Sequence, residues 1–187
     1  MFIVFEGIDG SGKSSVIARL KESLEASGRK VMVTAEPTDS AVGELVAETD
    51  GLNPETEALL FTADRAIHTE RVKKWMAEGY DVISDRYFAS TLAYQSAAGM
   101  DIGWLKAINS KAIITPDITI LMDIDPEVSL KRVSQRGEMS RFEKLDYLRK
   151  VREAYLGIAK EFGFTTVNAD RDRDTVANEV IKIVGGI

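Results

Sequence analysis

Cysteine is absent from the 187 residues, which removes disulfides, thiolate metal centres and a cysteine nucleophile and suits a chain made for the cytoplasm. Histidine occurs once, as His68, four residues before Val72 in a helical pattern; we expect a surface or core-edge residue with no catalytic part. No stretch approaches the ~18 apolar residues of a membrane span. The opening Met1-Phe2-Ile3-Val4-Phe5-Glu6 lacks the basic start and long apolar segment of a signal peptide, so we expect a soluble, unprocessed protein without a membrane partner. Linkers rich in Pro, Gly or Ser, internal repeats and low-complexity segments are missing too, and a single domain over residues 1–187 follows as the expectation. Positive charge is in the minority: 24 Lys and Arg face 30 Asp and Glu, a net charge of −6. That balance argues against bulk capture of DNA, RNA or anionic membrane, so any anionic ligand must be held by a local concentration of positive groups.

What is present is an alternation. Short β-rich runs at Phe2–Phe5, Val31–Thr34, Val82–Ser84, Ile118–Asp123 and Phe164–Val167 are separated by segments of helical period, the pattern of an α/β protein with a mostly parallel sheet. Val16, Ile17, Leu20 and Leu24 share a helical face before Gly28. Asn53-Pro54 starts a long helix that Gly79 closes; Asp125-Pro126 starts another, and Asp172 or Asp174 caps a last helix carrying Val176, Val180, Ile181 and Val184. Between Lys131 and Arg152 eight bases and three acids give a local balance of +5. Lys144, Arg149, Lys150 and Arg152 suit a solvated helix face. Arg136 and Arg141 flank Gly137 and Ser140, a break from which arginines can reach a ligand.

Gly7-Ile8-Asp9-Gly10-Ser11-Gly12-Lys13-Ser14 matches the G-x-x-x-x-G-K-[ST] phosphate loop, directly after an apolar strand and before a helix. Glycines let successive N–H groups curl inward, and the helix adds the positive end of its dipole, together forming an anion nest. Lys13 suits the β and γ phosphates of a bound triphosphate, and the Ser14 hydroxyl suits the Mg²⁺ that bridges them. The Asn-Lys-x-Asp guanine signature is absent, which counts against a GTPase. Asp85-Arg86-Tyr87 follows the third strand at the edge where open α/β folds bind ligands, and an arginine there has the fork of a phosphate clamp. The plainer alternative is an Asp85–Arg86 surface pair.

Phe5 to Ser14, Leu59-Leu60-Phe61-Thr62-Ala63-Asp64-Arg65 and Asp85-Arg86-Tyr87-Phe88-Ala89-Ser90-Thr91-Leu92-Ala93-Tyr94-Gln95 together resemble the thymidylate kinase family, in order and in spacing, over essentially the whole chain. The resemblance implies a three-layer P-loop fold with a five-stranded parallel sheet, a homodimer, and transfer of phosphate from ATP to dTMP with Mg²⁺, giving ADP and dTDP for dTTP synthesis. It assigns Phe61 to stacking on thymine, a residue that by itself would read as core. Arg65 would bond a thymine carbonyl, Thr91 and Gln95 would contact the base, and Tyr94 would crowd the sugar. Asp9 would lie near the acceptor sugar, Arg86 on the acceptor phosphate, and Asp85 near Mg²⁺. The residues expected to carry catalysis are then Lys13, Arg86, Arg136 and Arg141, the last two in a lid around residues 132–145. Two departures stand out. Gly10 takes the place of an arginine that one branch of the family carries in the phosphate loop. Glu36-Pro37-Thr38-Asp39 keeps the family's Glu-Pro without the Gly-Gly that often follows.

The acceptor phosphate oxygen is already anionic near neutral pH, so the reaction needs charge neutralisation rather than a general base. Kinases of dUMP or of a free deoxynucleoside, and a nucleotide-binding module that does not transfer phosphate, remain alternatives on the residues alone. Helix faces bearing Trp75 or Trp104 are candidate interface material.

Overall fold

The computed structural model describes residues 1–134 and 145–186. Five strands, β1 (Phe2–Glu6), β2 (Lys30–Ala35), β3 (Tyr80–Asp85), β4 (Ile118–Asp123) and β5 (Thr165–Asn168), form one all-parallel sheet in the order β2-β3-β1-β4-β5. The expected runs all fall on strands, with ends moved by a residue or two. β1, the central strand, is buried along its whole length, as its run of apolar residues requires when helices cover both faces. β2, at the edge, leaves Val33 exposed.

Eight helices occur among the described residues: α1 (Lys13–Ala26), α2 (Ala41–Glu48), α3 (Pro54–Ala77), α4 (Phe88–Ala97), α5 (Ile102–Asn109), α6 (Pro126–Ser134), α7 (Leu145–Phe162) and α8 (Arg173–Gly185). α1 and α8 pack together on one side of the sheet, while α3, α4 and α7 form the opposite layer with α5 beside them. Val16, Ile17, Leu20 and Leu24 are buried as their spacing predicts, and Gly28 takes the left-handed φ of 84° past the end of α1. Asn53 caps α3 by accepting from the Thr56 N–H, and Asp172, not Asp174, caps α8. α2, α4 and α5 are helices beyond those that the sequence signals mark. α7 reads as a basic run in sequence, yet Leu148, Val151, Tyr155 and Ile158 line its buried face. No helix among the described residues is long and apolar enough to cross a membrane.

The chain leaves β1 toward β2 and β3 on one side and later returns to β4 on the other. The carboxyl ends of β1, β3 and β4 therefore open into the crevice where ligands enter such sheets. The segment following β1 carries Gly7 to Ser14, and Asp85-Arg86 stands where β3 ends. Arg136 and Arg141, with most of the expected lid, lie outside the described residues.

Candidate active site

The donor half is built mainly from backbone. Gly7, Gly10 and Gly12 have φ of 139°, 76° and 90°, a region that side-chain-bearing residues rarely adopt. A Cβ on Gly10 would lie 2.7 Å from the Ser129 carbonyl oxygen, so this loop has no room for the arginine of the other family branch. No acidic residue occupies the first turn of α1 and no side chain caps it, leaving the helix dipole open to an anion. Lys13 folds back along the loop, donating from Nζ to the Gly7 and Ile8 carbonyls at 2.9 and 3.3 Å. Burial, reinforced by the nearby Arg86, brings its pKa down to about 8. Ser14 Oγ donates to Asp85 Oδ2 at 3.3 Å, and Asp85 Oδ1 is buried with no hydrogen-bond partner among the described residues. That oxygen pair has the hard, anionic character a divalent cation needs.

The half expected to take the acceptor is a cavity of about 210 Å³ lined by Asp9, Glu36, Pro37, Phe61, Arg65, Arg86, Ser90, Thr91, Tyr94 and Gln95. All seven residues expected to contact the acceptor are brought together here: Phe61 and Arg65 from α3, Thr91, Tyr94 and Gln95 from α4, Asp9 from the phosphate loop, and Arg86 from the β3–α4 turn. Phe61 is half-buried at this cavity, so the plain core reading of it does not hold. Gln95 donates to Glu57 at 3.3 Å, leaving its buried Oε1 without a hydrogen-bond partner among the described residues. Burial pushes the Tyr94 phenol up to about 12, so it stays neutral beside the charged groups.

Arg86 joins the two halves. Its Nη1 donates to the Gly7 carbonyl at 3.3 Å, the same oxygen that Lys13 holds, and its Nη2 bonds Asp9 rather than Asp85. The guanidinium lies 5.4 Å from the centre of the Tyr94 ring. Burial alone would raise the Asp9 pKa, but Arg86 and Lys13 outweigh it and hold the carboxyl below its usual range. Arg86 has a φ of 75°, the one positive value among the described non-glycine residues, a local strain that surrounding bonds must sustain.

Glu6 sustains it, and the sequence motifs assign it no part. This fully buried carboxylate accepts from the Tyr87 and Ser90 N–H groups at 2.9 and 3.2 Å, capping α4 from a different strand. Its second oxygen accepts from Ser90 Oγ at 2.6 Å and Tyr155 OH at 3.1 Å, and both of those hydroxyls also receive Arg86 Nη1. Burial raises Glu6 to about 7, against the lowering effects of Ser90 and Arg86.

His68 corrects another expectation. It is fully buried, with Nδ1 2.8 Å from Glu36 Oε1 and Nε2 2.9 Å from Thr34 Oγ1. Asp64 is buried alongside and accepts from the Thr38 N–H at 2.8 Å and from Ser40 Oγ at 2.7 Å, which shapes the loop after Glu36-Pro37 without a Gly-Gly. The available signal is the spacing of Asp64, Arg65 and His68, three polar residues that fall together on the buried side of α3. Arg152, expected on a solvated face, instead grips Asp123 at the end of β4 with two bonds of 2.7 and 2.9 Å.

The thymidylate kinase family profile matches residues 5–180. The chain is 44% identical over 186 residues to a probable thymidylate kinase of Archaeoglobus fulgidus, covering 98% of this chain and 94% of the relative. It is 42% identical over 188 residues to one of Pyrobaculum aerophilum, covering 98% and 95%, and 43% over 199 residues to one of Thermococcus kodakarensis, covering 98% and 97%. With a phosphate loop, an acceptor cavity and the Arg86 turn arranged about one sheet edge, and with relatives matched from end to end, this chain belongs to the thymidylate kinase family.

Proposed function

We propose that this chain transfers the γ-phosphoryl group of ATP to dTMP, giving ADP and dTDP for dTTP synthesis, with the triphosphate on the phosphate loop and dTMP in the cavity. The observation that carries this is the meeting of Lys13 and Arg86 on the Gly7 carbonyl, at the boundary between the two half-sites. In the transfer an oxygen of the acceptor phosphate forms the new P–O bond, and the bond from the γ phosphorus to the β–γ bridging oxygen breaks. Two multiply negative groups must approach in line, so neutralisation and positioning lower the barrier. Lys13, released from the loop carbonyls, meets the β and γ oxygens, and that negative charge stabilises its protonated form. Arg86 turns its fork to the acceptor phosphate, and Asp9 keeps it aimed across the boundary. Ser14 and Asp85 are the groups that would hold Mg²⁺, which when bound offsets charge on the β and γ phosphates. Arg136 and Arg141 would supply further positive charge to the γ-phosphate by family resemblance; replacing both with alanine should depress kcat far more than dTMP binding.

At the base end, an acceptor and a donor are available side by side. Gln95 Oε1 is unpartnered among the described residues, and Arg65 has one Nη1 hydrogen beyond the five bonds its guanidinium makes. Those match the N3–H and the adjacent carbonyl of thymine, with Phe61 against the ring face and Tyr94 toward the sugar. A coupled assay for ADP across a panel of nucleoside monophosphates tests the reading. Turnover that depends on dTMP supports it; ATP binding without acceptor-dependent turnover overturns it in favour of a non-transferring module.

The reading includes one domain over residues 1–187, a cytoplasmic setting where both nucleotides are found, and a homodimer. α3 supports the dimer: Leu59, Ala63, Ala66 and Ile67 form an exposed apolar stripe, with Leu45 exposed on the adjoining α2. Trp75 and Trp104, by contrast, are half-buried against the core. Light scattering of wild type and Leu59→Glu should give a dimer and a monomer respectively.

A further inference from the structure

Glu36 and His68 are buried ionisable groups that the transfer reaction does not use; Glu36 lines the cavity beside Arg65, and His68 lies behind Glu36. Arg65 is 1% exposed, and the acidic side chain paired with it is Glu36, whose Oε2 accepts from Nε at 2.9 Å and from Nη2 at 2.6 Å. The other oxygen of the same carboxylate, Oε1, faces His68 Nδ1 at 2.8 Å. A carboxylate only accepts, so Nδ1 carries the proton, and in the neutral ring Nε2 is left to accept from the Thr34 hydroxyl. Asn109 holds the opposite edge of Arg65 through Nη1. The guanidinium is thereby confined to one orientation in which its remaining hydrogen is available to a base. Removing the His68 donor would leave Glu36 Oε1 buried without a partner and free the carboxylate to rotate, carrying Arg65 with it.

We infer that Glu36, braced by His68, is the positioning pair that aims Arg65 and so sets selectivity for a pyrimidine bearing a carbonyl, rather than an amino group, at position 4. The inference rests on the assignment of Arg65 to the base under Proposed function. Steady-state kinetics of the full chain carrying Arg65→Met, His68→Leu, His68→Gln or His68→Asn tests it. The Asn amide nitrogen can take the place of Nδ1, whereas Gln restores only the Nε2 position. His68→Leu and His68→Gln should raise KM for dTMP about 10-fold and erode the preference for dTMP over dCMP by a similar factor, as expected for loss of a buried hydrogen bond to a charged group. KM for ATP and kcat should stay within about 2-fold, and His68→Asn should keep wild-type selectivity. A role in folding alone would make the variants follow their melting temperatures, with Asn no better than Gln; that result, or an unchanged KM for dTMP in both His68→Leu and His68→Gln, overturns the inference. If His68→Leu does not fold, the Asn and Gln comparison still decides. Should Arg65→Met leave KM for dTMP unmoved, the base assignment fails and the inference falls with it; should it raise KM while the His68 variants do not, only the inference fails.

Discussion

The phosphate loop and the acceptor cavity share the Gly7 carbonyl, but they are made of different materials. On the donor side, glycine conformations and a helix end supply the anion site, and one lysine adds charge. On the acceptor side, charged side chains are set against one another: Arg65 buried on Glu36, half-buried Arg86 on the more exposed Asp9, and Glu6 buried beneath the Arg86 turn. Backbone sites tolerate change around them provided the glycines stay, because the donors belong to every residue. A buried charge network has no such slack, since each member removed leaves another uncompensated.

This contrast can be broken from either side. The largest effect belongs to Lys13→Met, which should lower kcat by about 10³-fold or more while dTMP binding and the fold persist; near-normal turnover would remove Lys13 from the reaction. Next comes the cost of burying Glu6. Its pKa of about 7 in the folded state exceeds the ordinary 4.5, so its contribution is fully present below 4.5 and is lost as pH rises through 7. Glu6→Gln, which does not titrate, should therefore gain on wild type by roughly 2–3 kcal/mol between pH 5 and pH 8 in urea denaturation. A gap that stays constant with pH would show that Glu6 titrates normally.

Arg86→Lys should reduce kcat/KM for dTMP by about 10²-fold, because a lysine cannot span Asp9 and a phosphate with a fork. KM for ATP measured alongside should hold; if it rises equally, Arg86 serves the donor half instead. The smallest expected change is Gly10→Ala, a destabilisation of roughly 1–3 kcal/mol from the positive φ and the approach to the Ser129 carbonyl. Urea midpoints equal to wild type would mean that the loop backbone relaxes freely.

Much of the donor half is legible in the order of residues along the chain. Gly7 to Ser14 is contiguous, and the glycine pattern encodes its own backbone path between β1 and α1. Phe61, Arg65, Arg86, Thr91, Tyr94 and Gln95 can be selected by family resemblance, and the cavity gathers them. What supports them cannot be selected that way. Tyr155 looks like one more member of an apolar stripe on α7, and its hydroxyl reaches Glu6 across 149 positions of sequence. His68 looks peripheral because a lone histidine in a helix carries no mark of burial, yet it faces Glu36 across 32 positions.

By itself, then, the sequence determined the alternation of strands and helices, the phosphate loop and the chemical types available for an acceptor. These depend on period, glycine placement and short spacings, all properties of neighbouring residues. Only the tertiary structure decided that Asp9 rather than Asp85 restrains Arg86, that Gly10 has no room for a side chain, and that Glu6 and Glu36 stand behind the two arginines. The fate of a buried charge depends on which group packing sets opposite it, and that partner is chosen by the order of strands in the sheet rather than by order along the chain.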